Sequence, residues 1–196
     1  SVRLAGGGTF TTIPFVGQVD LGLFYYPLAA VAIVGVVNAV NFTDGIDGLN
    51  TTVSFFAFLS LALCAGILSM TGLTALGLAS AAACVGFLIW NRHPAKVFMG
   101  DTGSLFMGGM VCALAFGMDL PLLLLPVGFV YLCEIGSVVL QVTYFKATHG
   151  KRLFKMSPIH HHFEMCGWSE VKICLVFGLV ALLGGAVALA CVLFGL

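Results

Sequence analysis

The stretch Asn38-Ala-Val-Asn41-Phe-Thr-Asp44-Gly45-Ile-Asp47-Gly48-Leu-Asn50 sets two carboxylates and three carboxamides beside sequence that is otherwise apolar. A charge at the centre of a bilayer costs roughly 2.5–3.5 kcal/mol, so a polar cluster bordering apolar segments points to function. Each Asp-Gly step offers a residue that takes positive φ without strain. The chain is therefore expected to turn sharply twice and bring Asp44 and Asp47 toward one point, a geometry suited to a hard divalent cation.

Two further stretches carry groups of the same kind. In Asn91-Arg-His93-Pro-Ala-Lys96-Val-Phe98-Met-Gly100-Asp101-Thr-Gly103-Ser104, an aspartate sits between glycines where a helix is expected to begin. Asp101 or Ser104 could simply cap that helix. Beside Asp44 and Asp47 on one face, Asp101 instead becomes the third carboxylate of an oxygen-ligand set. Mg²⁺ characteristically takes one or two carboxylates together with substrate phosphates and water. Phe98 either packs in a core or, exposed in a polar loop, stacks on a flat ring. The third stretch, Lys151-Arg152-Leu-Phe-Lys155-Met-Ser-Pro158-Ile-His160-His161-His162-Phe163-Glu164, holds three consecutive histidines flanked by basic residues. Zinc ligation by His160, His162 and Cys166 lacks a second Cys/His pair at finger-like spacing. Donation to phosphate or hydroxyl groups near neutral pH suits the cluster better. Glu134, inside an apolar run, reads as a partner for a polar group between helices.

The elements that must hold these stretches are membrane helices. Sixty per cent of residues are apolar, 8% are charged and mean hydropathy is +1.12, far from the composition of a soluble domain. Net charge is zero, which gives no electrostatic case for binding nucleic acid. Six of the seven cysteines fall singly inside apolar runs and no C-x-x-C pair occurs, so they read as small hydrophobes. No signal peptide is apparent at Ser1, and the chain opens in mid-protein character.

The expected architecture is all-α and polytopic. Residues 1–20 form an outer-side segment, with a short alternating run from Thr9 to Val19 suited to a small hairpin. Residues 21–196 form a transmembrane helical domain of about six spans: Leu21–Val40, Thr51–Met70, Gly72–Trp90, Ser104–Met118, Pro121–Phe145 and Val171–Gly195. Each approaches the ~20 residues needed to cross the hydrocarbon core. Pro126 and Glu134 inside the fifth predict a kink or break near Glu134. Alternating sides place loops 41–50, 91–103 and 146–170 on one face, where Arg92, Lys96, Lys146, Lys151, Arg152, Lys155 and Lys172 lie; only Arg3 is opposite. The positive-inside rule makes that face cytoplasmic. Helices starting near Thr51, Ser104 and Val171 then all point their N-termini at the loops, which favours a bound phosphate.

Together, N-A-V-N-F-T-D-G-I-D-G-L, N-R-H-P-A-K-V-F-M-G-D-T-G-S and S-P-I-H-H-H-F-E resemble the polyprenyl-phosphate N-acetylhexosamine-1-phosphate transferase superfamily. The unbroken histidine triplet after Pro-Ile resembles the branch that handles phospho-MurNAc-pentapeptide. The resemblance covers the chain from about Leu21 onward. It implies transfer of phospho-MurNAc-pentapeptide from its UDP carrier to undecaprenyl phosphate in a bacterial cytoplasmic membrane, giving lipid I and UMP, with Mg²⁺ required. It further implies Asp101 as metal ligand, with Asp44 supporting the metal or nucleotide sugar. Asn38, Asn41, Asp47, Asn91 and Phe98 would lie around the uridine, and His160, His161 and His162 would contact the diphosphate or sugar. Its members have about ten spans and carry an adjacent aspartate pair upstream, proposed to activate the lipid phosphate. Here only Asp20 precedes the first span, so the chain is expected to be the second part of such an enzyme. A lipid groove beside the broken fifth span also follows from the resemblance, and a homodimer is compatible with it.

Two alternatives within reach are a related transferase acting on another UDP-N-acetylhexosamine and a cation-coupled transporter using Asp44, Asp47 and Asp101. Transporter sites lie near the bilayer midplane, often within an internal repeat; these carboxylates lie in loops at one face and no repeat is visible. A non-catalytic scaffold leaves the clustered polar loops without a purpose. Neither a phosphate-binding G-x-x-x-x-G-K-[ST] loop nor a G-x-S-x-G elbow is present, so neither ATP-driven transport nor that type of serine hydrolysis has support.

Overall fold

A computed structural model describes residues 8–196. Strands β1 (Phe10–Ile13) and β2 (Gly17–Asp20) pair antiparallel with Phe10 opposite Asp20, so the expected hairpin is present. Arg3 lies outside the described residues. After one 3-10 turn at Gly22–Phe24 come α1 (Tyr25–Phe42), α2 (Leu49–Ile67), α3 (Thr71–Asn91) and α4 (Gly100–Gly117). A second 3-10 turn at Pro121–Leu123 leads into α5 (Leu124–Val127), α6 (Phe129–Ala147), α7 (Ile159–Met165) and α8 (Glu170–Gly195).

Among the described residues, five helical runs are long and apolar enough to cross a membrane: Gly22–Phe42, Leu49–Ile67, Thr71–Asn91, Phe129–Ala147 and Glu170–Gly195. Helix α4 occupies the place of the expected fourth span but opens on the polar turn Gly-Asp-Thr-Gly-Ser and is not one of those five. The fifth span is broken, though at Gly128 and not near Glu134. The break falls where a Cβ on Gly128 would lie 2.5 Å from the Leu124 carbonyl oxygen, while Pro126 sits in the first turn of α5, where a missing backbone donor costs no helical bond; a carboxylate with a polar partner leaves the helical ladder intact. Glu134 accordingly lies within continuous α6.

Helix α2 is the centre of the bundle, with 61% of its span buried and α3, α8 and α4 packed around it. Helix α1 pairs with α4 and α6. Small residues allow these approaches, as is usual between membrane helices. A Cβ on Gly108 of α4 would fall 2.7 Å from Val37 Cα of α1, and one on Gly185 of α8 would overlap Ser60 Oγ of α2. Outward faces carry exposed Val31, Ile89, Val139 and Leu175, which suits contact with lipid. The far ends of α1, α3 and α6 and the starts of α2, α4 and α8 meet on one side, where the polar loops touch one another.

Candidate active site

Helix α1 carries Asn38 and Asn41 about one turn apart, hence near one face. Asn41 Nδ2 donates to Asp101 Oδ1 at 2.9 Å and to Ser104 Oγ at 2.9 Å, fastening the end of α1 to the start of α4. Ser104 is then spent on the carbonyl of Gly100 at 3.1 Å. Helix α4 has no side-chain cap, so neither Asp101 nor Ser104 does the capping that the sequence allowed. Asp101 remains exposed in the first turn, where the helix dipole favours its charge. Exposed Asn38 is turned back on α1, donating to the Val34 carbonyl at 2.8 Å.

Thr43 closes α1 through Ala39 at 2.8 Å, and Asp44 follows, half-buried. Burial pushes the Asp44 carboxyl above the usual carboxylate range; a hydrogen bond from Asn50 opposes this, and the charge of Asp101 adds to it. The charge of Asp101 thus reaches Asp44 where two helices meet. The oxygen-only chemistry of the two carboxylates fits Mg²⁺ completed by substrate phosphate and water.

Asp47 does not join them. Its Oδ2 accepts from the Ala95 amide at 2.8 Å and lies 3.2 Å from His93 Nδ1, while its own amide donates to Glu170 Oε2 at 3.0 Å. The two turns expected from the Asp-Gly steps reduce to one. Gly48 has φ +77° and starts α2, whereas Gly45 is not left-handed and is a glycine for a different reason. A Cβ on Gly45 would fall 2.6 Å from His160 Cε1 and nearer still to Nε2. Loop and histidine helix touch at the one residue without a side chain.

His160 is fully buried, as is Glu134, and its Nδ1 lies 3.0 Å from Glu134 Oε2. Glu134 is the inter-helix polar partner that its place in the sequence suggested. Glu134 Oε1 and His160 Nε2 find no partner. His161 pairs with Glu164. His162 Nδ1 accepts from the Lys155 amide at 3.1 Å, with Cys166 Sγ at 3.8 Å from its Nε2. With His160 turned inward to Glu134, the zinc set His160, His162 and Cys166 is not assembled. Phe163 packs on Trp168 (centroids 4.8 Å) and Phe177 (5.8 Å), pinning α7 to α8.

The second loop is folded by Asn91, which is buried. Its Oδ1 accepts from Thr51 Oγ1 at 2.6 Å and its Nδ2 donates to the Val97 carbonyl at 3.0 Å. Phe98 is 74% exposed, which removes core packing as its purpose and leaves a free aromatic face.

A family model described as Glycosyl transferase family 4 matches residues 2–119, more than half of this chain of 196 residues. The chain belongs to glycosyl transferase family 4. In this glycosyl transferase family 4 chain the match covers the first two polar loops and stops before the histidine helix. Curated relatives extend further. A protein of Clostridium botulinum (strain Eklund 17B) named phospho-N-acetylmuramoyl-pentapeptide-transferase is 47% identical over 177 residues, 90% of this chain and 54% of the relative. Its namesake in Clostridium perfringens (strain SM101) is 48% identical over 184 residues, covering 93% and 57%. That of Desulfitobacterium hafniense is 44% identical over 206 residues, covering 99% and 61%. The chain thus spans little more than half the length of these relatives.

Within the glycosyl transferase family 4 chain, the structure brings Asn41, Asp44 and Asp101 together and seats His160 against Gly45. It leaves Phe98 and Asn38 exposed and sends Asp47 to His93 and Glu170. His93, Glu170 and the steric role of Gly45 were not visible beforehand. Their partners lie 46, 123 and 115 positions away, and no local spacing reports such a meeting.

Proposed function

We propose that this chain is the nucleotide- and metal-holding part of an enzyme that transfers phospho-MurNAc-pentapeptide from UDP-MurNAc-pentapeptide to undecaprenyl phosphate, releasing UMP and forming lipid I. The observation that carries the reading is the Asp44–Asp101 pair, fastened by Asn41 and backed by a histidine helix seated on Gly45. The names of the relatives, at 44–48% identity, point to the same substrate class.

In this reading Asp44 and Asp101 hold Mg²⁺, which when bound supplies charge neutralisation along the diphosphate. Phe98 stacks on the uracil ring. Asn38, one amide hydrogen spent on Val34, offers the nucleotide its carboxamide oxygen, Asn41 holds Asp101 beside it, and Asn91 and Asp47 keep the loops around it in shape. His161 and His162 donate to phosphate or sugar oxygens, and His160, buried, fixes the loop that bears Asp44. The N-termini of α2, α4 and α8 add their positive ends to the same place, which favours the charge that develops during phosphoryl transfer. The polar loops lie on the cytoplasmic side of a bacterial cytoplasmic membrane, in accord with their lysines and arginines. An apolar cavity of about 360 Å³ lined by Tyr25, Leu28 and Ala32 of α1, Leu125 of α5 and Leu132 and Ile135 of α6 offers a polyprenyl chain a place beside the broken span.

The test is Mg²⁺-dependent release of UMP from UDP-MurNAc-pentapeptide by the full-length protein, run beside other UDP-N-acetylhexosamines. Release that occurs equally without a divalent cation, or only from another sugar, overturns the reading.

A further inference from the structure

Asp47, His93 and Glu170 come from three separate elements, and neither His93 nor Glu170 has a place in the transfer outlined above. We propose that these three residues bind a borderline divalent cation of the Zn²⁺ class, at a site separate from the Asp44–Asp101 pair. His93 Nδ1 lies 3.2 Å from Asp47 Oδ2 and 3.4 Å from Glu170 Oε2, and the three ligand atoms all fall within 4.8 Å of one another. Zinc takes imidazole nitrogen and carboxylate oxygen at about 2.0–2.2 Å in a tetrahedron, whose edges are then about 3.3–3.6 Å. The two measured separations are therefore close to tetrahedral edges.

One proton is a poor substitute for the ion. His93 Nδ1 carries at most a single hydrogen, which only one of the two neighbouring carboxylates can take. A cation at the centre of the triangle meets all three. The carboxylates are also aimed in advance: the Ala95 amide donates to Asp47 Oδ2 at 2.8 Å, and the Asp47 amide donates to Glu170 Oε2 at 3.0 Å. Such outer contacts orient ligands and raise affinity. The His93 side chain is 45% exposed, so the fourth position opens to solvent and the ion can exchange. An imidazole among the ligands selects Zn²⁺ or Co²⁺ over Mg²⁺, which prefers oxygen alone. Occupancy would join the first loop, the second loop and the start of α8 into one unit.

Co²⁺ serves as a spectroscopic probe of the full-length protein in excess Mg²⁺, in a Cys166→Ser background that removes the thiol near His162. One equivalent of Co²⁺ should bind with a tetrahedral visible spectrum and be displaced by Zn²⁺. His93→Gln and Glu170→Gln should each weaken binding at least about tenfold, with thermal unfolding of the metal-free variants confirming that both fold. Asp101→Asn should leave Co²⁺ binding unchanged. Absence of Co²⁺ binding, binding that survives in the folded His93 and Glu170 variants, or loss in Asp101→Asn overturns the proposal; a change in UMP release alone bears on the transferase reading and not on this site.

Discussion

The charge of Asp101 reaches Asp44, and that coupling makes each of them testable alone. In the full-length protein, Asp101→Asn should lower turnover at least about a hundredfold with expression and folding intact, because it removes charge from a cation shell without changing volume; near-normal turnover at limiting Mg²⁺ would exclude Asp101 as a ligand. Asp44 carries a sign that follows from its raised carboxyl. Since the folded state holds that proton more tightly than the unfolded one, stability falls as pH rises from about 4, the unfolded value, through the raised folded value, and the cost persists above it. Without Mg²⁺ at pH 7, Asp44→Asn should therefore unfold at or above the wild-type temperature, and the difference should vanish in acid. With Mg²⁺ the order should reverse, as only the wild type gains from the ion. A wild type that outlasts the variant without Mg²⁺ would show that Asp44 is not held at a cost. For Phe98, replacement by Ala should weaken UDP-substrate affinity by about 1–3 kcal/mol while Trp preserves most of it, as expected of stacking. Equal losses in a titration of the two variants would leave stacking without support.

Among the elements, the decisive junction is α6 to α7 to the first loop, through Glu134, His160 and Gly45. Gly45→Ala should push the buried ring aside and destabilise the protein by about 1–3 kcal/mol, the usual cost of overpacking. In a His160→Ala background the same change should cost much less, because the added methyl then enters vacated space. Additive losses in thermal unfolding would show that the two do not share a site. This junction also marks the limit of what the sequence made legible. Helices, hairpin and the side on which the loops gather follow from run length and apolar pattern, which are local properties. The meeting of Asn41 with Asp101 was foreseeable as a shared face, since topology alone places those loops together. That Gly45 is needed for steric reasons was not, because an Asp-Gly step looks the same whether the glycine turns the chain or makes room for a ring. The fifth span was expected to break near Glu134 and instead breaks at Gly128, since a carboxyl group with a polar partner leaves the helical ladder intact while glycine tolerates the close approach of the Leu124 carbonyl.

At the scale of the whole molecule, one side of the bundle holds the polar loops and the other is closed by short connections. Expressed without anything upstream, residues 1–196 should insert with those loops cytoplasmic yet fail to turn over UDP-MurNAc-pentapeptide. Length and apolar composition drive insertion, and the basic residues orient it. Transfer also needs the lipid phosphate positioned and its oxygen freed of any proton, and the carboxylates at this site are already assigned to metal, loop and histidine. Adding, as a separate polypeptide, the part of a relative that this chain does not match should restore activity. Lipid I formation by the 196-residue chain alone, at the full-length rate, would refute this division.

On the closed side, the hairpin reaches across to two helix ends. The Phe15 amide donates to Gly195 at the end of α8 at 2.8 Å, and the Thr12 amide donates to Asp119 just past α4 at 3.2 Å. Those two hydrogens cannot exchange with deuterium until the helix ends part from the hairpin. Their exchange rates are thus a clock for the breathing of the bundle, read at the side remote from the chemistry.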